Sequence, residues 1–418
     1  MVEKTAGVRH PFGRAACLAL CLALVSPTAV WASGGPLISG IESDSEPAEG
    51  PGVEEAAGSE AESQDTASEE AAGYTEAQLG DALIEYGELE ALIRTGNSTA
   101  INSQNSYQTS LEIYQTAYDS LLSARRDMLN EADELEDAGG DEALIGNYEQ
   151  NASILSASAQ QMKRSITSLN SRSSEWSRDQ AVWTLVKTAQ SLMASCKEME
   201  AQAETAAALA FASQAAYDKT AAMRTAGMAT EEEVLAAKKS LLSAQSASQS
   251  AADSADRLKR QLAIMLGKEV GSIELGEIPQ VTAEELSSLN LEEDKALAVI
   301  ANSGVKSVKR SRAQGDAERK LRSQQLSEAE GAASVTADEQ YQNVAALSQE
   351  RDAALKAFAA AEKDYGVLQT KYRAGLINKS TYLSGTAEYL QTKASKITAE
   401  AELRTALDAY QWMLKGVR

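Results

Sequence analysis

Proline is almost missing from this chain: five of the 6 prolines (Pro11, Pro27, Pro36, Pro47 and Pro51) lie in the first 51 residues, and only Pro279 follows. Proline removes a backbone donor and clashes with the preceding helical turn, so a proline-free run of this length leaves long helices unbroken. Histidine occurs once, as His10, so the rest of the chain has no imidazole for acid–base work or metal ligation. Of 3 cysteines, Cys17 and Cys21 lie near the N-terminus and Cys196 stands alone, which excludes an internal disulfide framework. With 3 Phe, 4 Trp and few β-branched residues, the composition excludes a large globular core and does not suit half-buried sheets. Positive charge is outweighed to a net −22, which argues against nucleic acid and anionic lipid as partners.

What remains is a helix-forming composition. From about residue 75 onward Ala, Ser, Glu, Gln, Leu and Lys dominate, and narrow alanine-rich seams are the economical way for such helices to bury apolar surface. Before that point the chain has two other segments. Residues 1–32 carry Lys4, Arg9 and Arg14, then the apolar run Ala15 to Val25, then small residues up to Ala32, the order of a secretory signal peptide cleaved near Ala32. An uncleaved anchor is the competing reading, against which the apolar run is about half the roughly 20 residues of a bilayer span. A lipoprotein reading through Leu18 to Cys21 is weakened by the bulky Leu20. Residues 33–74 hold eleven acids from Glu42 to Glu70 and no Lys or Arg, an expected disordered spacer or acidic tether.

The body shows helical seams. Leu111, Tyr114, Tyr118, Leu121, Arg125, Met128, Ala132 and Leu135 alternate spacings of three and four. Leu347, Ala354, Phe358, Ala361, Tyr365, Leu368 and Tyr372 form a second stripe, and Leu383 to Ala401 a third. Arg125 and Arg351 interrupt their stripes and are expected to snorkel outward.

Self-comparison at an offset of 148 residues aligns Tyr217, Ala226, Gly227, Met228, Val234, Leu235 and Leu262 with Tyr365, Ala374, Gly375, Leu376, Tyr382, Leu383 and Tyr410. In each copy a helix ends at an Ala-Gly pair (MRTAGMATEEEVLAA and KYRAGLINKSTYLSG). Glycine suits the left-handed cap, and Thr230 with Glu233, and Ser380, are the expected N-cap groups of the helices that follow. Thr75 to about Tyr107 also resembles Leu291 to about Leu321. The expected unit is a short helix, an outgoing long helix, a returning helix pair around the Ala-Gly turn, and a closing segment. Two copies are expected, over 75–280 and 281–418.

This layout resembles the TolC-type outer-membrane efflux family, whose members carry two such repeats and assemble as a trimeric helical tunnel. The local matches are Tyr365…Tyr372-Arg373-Ala374-Gly375…Tyr382-Leu383, the parallel Gly227…Val234-Leu235-Ala236-Ala237, and Gln261 to Gly267. The resemblance implies an all-α fold of long antiparallel coiled-coil hairpins in two tandem repeats, a homotrimer, and a membrane-fusion adaptor or ABC transporter as partner. It places adaptor docking at Ala226, Gly227, Met228, Arg373, Ala374, Gly375 and Leu376. The family also inserts a strand hairpin between the long helices of each repeat. The corresponding places, Glu136 to Glu142 and about Glu330 to Thr336, have no alternating segments of the roughly ten residues per strand that a membrane barrel needs, so the barrel is expected to be missing.

No catalytic residue set, cofactor or metal site is expected. Glu231-Glu232-Glu233 suit the first turn of a helix. Gly271 and Gly276 border a short apolar piece, a loop or single strand, with no phosphate-binding pattern. Trp176 and Trp183 lie seven apart, as in a seam or subunit contact, and Cys196 reads as a small buried apolar group. The functional expectation is a TolC-like export component of the cell envelope; the alternative is an extracellular coiled-coil scaffold or adhesion-type protein without transport.

Overall fold

A computed structural model describes residues 74 and 79–417. The chain divides into units 1–63 and 64–418, and every described residue belongs to the second. The signal-peptide and acidic-linker expectations, with His10, Cys17 and Cys21, lie outside the described residues.

The described chain is helical almost throughout. After a two-residue strand β1 (Leu83–Ile84) come a 3-10 turn (Tyr86–Glu88), α1 (Leu89–Gly96), α2 (Ser98–Asp137), α3 (Glu142–Leu169), α4 (Arg172–Thr225) and α5 (Glu231–Met265). A connecting strap contains β2 (Glu274–Leu275) and α6 (Ala283–Ser287); α7 (Leu291–Ala301), α8 (Ser303–Arg310), α9 (Asp316–Arg373) and α10 (Lys379–Leu414) follow. The only strand pairing among the described residues is β1 with β2, parallel, with Leu83 opposite Glu274. The apolar piece around Gly271 and Gly276 is thus a strand with a partner, one too short to show any period in sequence.

Helix boundaries follow local chemistry. Asn97, Asp141, Ser171, Thr230, Thr282, Asn302 and Asn378 each accept a backbone N–H from the first turn of the helix they start, which satisfies one otherwise orphaned donor and contributes about 1 kcal/mol. The cap of α10 is Asn378, not the expected Ser380: Asn378 Oδ1 accepts from Thr381 N at 2.9 Å. Its amide oxygen reaches two to three residues forward, and Ser380 already lies inside the first turn.

Four long helices pack side by side in the order α5, α4, α10, α9. Their seams are narrow, as the composition implies: Ala189, Ala194, Ala201 and Ala212 on α4 and Ala387, Ala394, Ala399 and Ala401 on α10 are buried. Each buried methyl contributes on the order of 0.8 kcal/mol, and small side chains let Thr205 Oγ1 reach across to the Leu390 carbonyl at 3.2 Å. The larger core sits at one end, where β1, α1 and the strap wrap the layer. Ile84, Leu89, Ile93, Val186, Met193, Leu262 and Leu266 are buried there with Cys196, Trp412 and Val417. A second cluster joins the strap residue Val281 to Val344, Leu403, Leu407 and Tyr410. Cys196 is fully enclosed, and burial pushes its thiol up to about 12, the inert apolar role expected of it.

A buried polar network ties the 3-10 turn at Tyr86 and the strap helix α6 to α10. Tyr86 donates to Asp408, Asp408 pairs with Arg404 at 2.8 Å, and Arg404 pairs with Glu285 of α6 at 3.1 Å. Burial raises the Asp408 carboxyl against the opposing Tyr86 hydrogen bond and Arg404 charge. Arg351 does not snorkel: it is mostly buried and donates to the Val281 carbonyl at 3.1 Å, so the charge fastens the strap. Trp183 lies 6.3 Å from Trp412 and Trp176 lies under the Lys306 ammonium at 4.0 Å, so both tryptophans pack within the chain.

The two halves differ in one large respect. In the first, α2 goes out 40 residues, turns at Ala138 to Asp141 and returns as α3, which meets α4 at the Asn170-Ser171 break. Leu111, Tyr114, Tyr118, Leu121, Met128, Ala132 and Leu135 face this hairpin's single seam, half-buried except for the fully buried Ala132. In the second half the expected outgoing long helix is absent. Only the eight residues of α8 and a five-residue break precede α9, and Glu330 to Thr336, the expected site of an inter-helix junction, lie inside α9. The chain from 311 to 315 takes the place of a complete helical hairpin.

Candidate functional site

The candidate docking residues fall on two equivalent turns. At the first, Gly227 has φ +75° and its N–H donates to the Arg224 carbonyl at 2.9 Å, while Met228 N–H donates to the Met223 carbonyl at 2.8 Å. At the second, Gly375 has φ +70° and donates to Tyr372 at 2.9 Å, and Leu376 N–H donates to Lys371 at 2.9 Å. Both are Schellman caps, and a side chain at either glycine position would meet left-handed strain although nothing crowds it. Ala226 and Ala374 occupy the same cap position with the same backbone, φ −81° and −78°.

The next residue gives the turns their chemistry. In this kind of cap the residue after the glycine commonly packs back on the helix; here Met228 is 68% and Leu376 is 75% exposed. Each turn therefore presents an apolar side chain to solvent on a rigid, hydrogen-bonded loop, with Arg373 also exposed beside the second. Nothing in this arrangement performs chemistry on a substrate; it can insert an apolar knob into a partner. Among the described residues no group of three or more acidic, Cys or His side chains could hold a metal ion.

The hairpins behind the turns are built differently. The α4/α5 hairpin is closed by the Thr230–Glu233 capping box and an exposed Arg224–Glu231 ion pair at 3.1 Å. The α9/α10 hairpin carries an aromatic ladder instead. Tyr372 stacks on Tyr382 at 4.3 Å, Tyr365 on Tyr389 at 4.4 Å, and Phe358 lies 5.8 Å from Tyr389. Tyr365 and Tyr382 also meet through their hydroxyls at 3.3 Å. Sequence reasoning put Phe358, Tyr365 and Tyr372 on one seam but missed their stacking on Tyr382 and Tyr389, although the matching spacing of seven was a readable signal.

On the face of α4 and α10 opposite the strap runs a groove lined by Glu198, Gln202, Gln391 and Glu402, with Glu350, Gln340 and Asn343 contributed by α9. None of the three carboxylates makes an ion pair among the described residues. Burial, then the charge of Glu402, pushes Glu198 up to about 7, and burial, then Glu350, raises Glu402. No described helix is long and apolar enough to cross a membrane.

No protein-family model matches the sequence, and no curated protein matches it. Among solved structures the chain is similar to a membrane protein from Pseudomonas aeruginosa, at 15% identity over 79% of this chain and 90% of that one, with a TM-score of 0.40. It is similar to the outer membrane protein VceC of Vibrio cholerae, at 11% identity over 79% and 96% with a TM-score of 0.41. It is also similar to the MtrE outer membrane channel of Neisseria gonorrhoeae, at 13% identity over 79% and 89% with a TM-score of 0.39. Likeness at this level carries no argument, and the fold reading rests on the chain's own element order. With its paired Ala-Gly hairpins side by side in one layer, a four-residue turn at Ala138 to Asp141 and an unbroken helix through Glu330 to Thr336, the described chain is an all-α body of long antiparallel hairpins without barrel strands.

Proposed function

We propose that this protein is a TolC-like export component of the cell envelope, an oligomeric helical tunnel or docking element that engages a transporter through its two Ala-Gly turns. The observation that carries this reading is the pair of identical turns, each with an exposed apolar residue after its glycine, on adjacent hairpins of one layer. The layer also has two open edges. Leu235 and Leu242 are exposed on α5, and Val335 and Val367 on α9. Apolar edges of this kind suit closure by further copies, and three copies are the number the resemblance implies. A membrane-fusion adaptor or ABC transporter is the proposed partner, and no enzymatic activity is assigned. The proposed organisation is a signal peptide over 1–32, an acidic linker over 33–74, and repeats over 75–280 and 281–418, with export to the envelope.

Leu235 and Val367 lie at similar distances from their turns, so a closed ring brings α5 of one copy against α9 of the next. A Leu235→Cys/Val367→Cys variant is expected to form, on oxidation, covalent products that stop at three chains, seen as rings with a central opening by electron microscopy. A product ladder without a limit, or none, overturns the tunnel. The scaffold or adhesion reading is favoured by the hairpin tip at Ala138 to Asp141, a four-residue turn between helices where a strand hairpin would be inserted; it is supported if the protein is a stable monomer.

A further inference from the structure

The end of the layer opposite the Ala-Gly turns carries two patches of opposite charge at different heights. Where the second half lacks its hairpin, Lys306, Lys309, Arg310, Arg312, Arg319, Lys320 and Arg322 crowd around the α8–α9 break, in a chain whose net charge is −22. We call this the shoulder. Lys309 pairs with Glu330 and Arg319 with Asp316, whereas Arg310, Arg312 and Lys320 are exposed and make no ion pair among the described residues. The α2/α3 hairpin stands beyond the shoulder as an arm. Its base is marked by the Tyr107–Asn170 hydrogen bond at 2.7 Å and by Arg178, 3.8 Å over the Tyr107 ring. From Tyr107 to the tip α2 rises about 45 Å at 1.5 Å per residue. The tip is strongly acidic: nine carboxylates fall between Asp127 and Glu149, and no Lys or Arg occurs from 127 to 162. All nine are exposed and none makes an ion pair among the described residues.

We propose that the acidic arm tip of one copy docks on the basic shoulder of a second copy, so that two molecules face each other at this end with their arms side by side and antiparallel. Three observations favour a second copy as the occupant. The tip cannot reach its own shoulder, because the arm's length separates them. In a two-fold pair the overlap equals one arm length, so both tip-to-shoulder contacts form at once and the interface closes on itself. Any shorter overlap brings tips together or leaves Arg310, Arg312 and Lys320 unpaired, so charge pins the register. Ile113, Leu144 and Ile154, exposed along the arm, supply apolar contact between the paired arms. A flat anionic membrane fits this end poorly, since the acidic tip stands in front of the shoulder and would meet it first.

The test uses the full exported chain and reads mass by light scattering across salt. The wild type is expected to double its mass between about 0.5 M and about 0.05 M salt, as the Debye length grows from a few ångströms to more than 10 Å. Arg310→Glu/Arg312→Glu/Lys320→Glu is expected to abolish the doubling, as is Glu134→Lys/Glu136→Lys/Asp137→Lys. An equal mixture of the two variants regains both contacts in each mixed pair, one native and one with its charges reversed, and the variant carrying all six changes makes the reversed contact twice and doubles again. The proposal is overturned if the shoulder variant still doubles, if the six-fold variant does not, or if the shoulder binds phosphatidylglycerol vesicles in a way that tip reversal leaves unchanged. Because the readout is a ratio of two masses, it stands whether the high-salt species is a trimer or a monomer, and its failure leaves the tunnel reading untouched.

Discussion

The two Ala-Gly hairpins have the same turn and different insides. At the first, alanine seams, the exposed Arg224–Glu231 ion pair near the turn and a Lys259–Glu200 pair farther along hold α4 to α5; at the second, five aromatic rings run along α9 and α10. Aligned positions make the contrast direct: Arg224, Val234 and Leu241 stand where the second hairpin has Tyr372, Tyr382 and Tyr389. Conserving the backbone of the turn requires only a glycine and a good cap, whereas hairpin stiffness depends on what fills the seam. The first hairpin is therefore the more pliant of the two, and the second the more rigid platform for its exposed Leu376.

The largest way to disturb this comparison is to cut the tie between the halves. Asp408→Ala leaves Arg404 buried without its closest partner and is expected to cost about 3–5 kcal/mol, measured by denaturant unfolding, and to loosen both hairpins together. Placing a side chain at either glycine acts more locally. Gly227→Ala and Gly375→Ala are each expected to cost about 1–2 kcal/mol through left-handed strain, nearly equally, because the turns are equivalent; a difference larger than about 1 kcal/mol would break the equivalence.

Acidity probes the seam between the halves. Glu198 of α4 faces Glu402 of α10, which faces Glu350 of α9, with no cation paired to any of them among the described residues. Folding raises Glu198 to about 7 and also raises Glu402, so the folded state binds protons more tightly than the unfolded one. This contribution to stability is present in full below the ordinary carboxylate range and is lost as pH rises through about 7. The melting temperature is expected to rise on acidification from pH near 8 toward 5, and Glu198→Gln is expected to flatten that rise.

Smaller effects sharpen the contrast between the hairpin interiors. Tyr389→Leu, which gives the second hairpin the residue the first already has, is expected to cost about 1 kcal/mol from lost ring stacking and to lower hydrogen-exchange protection around Gly375. Arg224→Ala at the first hairpin removes an exposed ion pair worth well under 1 kcal/mol and is expected to leave protection there unchanged.

Much of this was legible in the sequence. Proline scarcity and the three-four stripes gave the long helices, the offset of 148 residues gave both Ala-Gly turns, and Cys196 is buried as its helical surroundings imply. Two-residue strands carry no periodicity, so the pairing of β1 with β2 was not readable. Whether Arg351 snorkels or binds the strap depends on a segment 70 residues away in the chain. The missing second arm was readable, though only by counting: 130 residues separate Asn97 from Gly227, and 73 separate Asn302 from Gly375. Local similarity at both ends of a unit conceals a deletion between them.

The central claim is that one layer of four helices, open at both edges, is a third of a closed body. Its most direct test is the mass of the chain from Ser33 onward by light scattering at about 0.5 M salt, where charge-driven pairing is screened. Three chains per particle is the predicted result, and a stable single chain would contradict it.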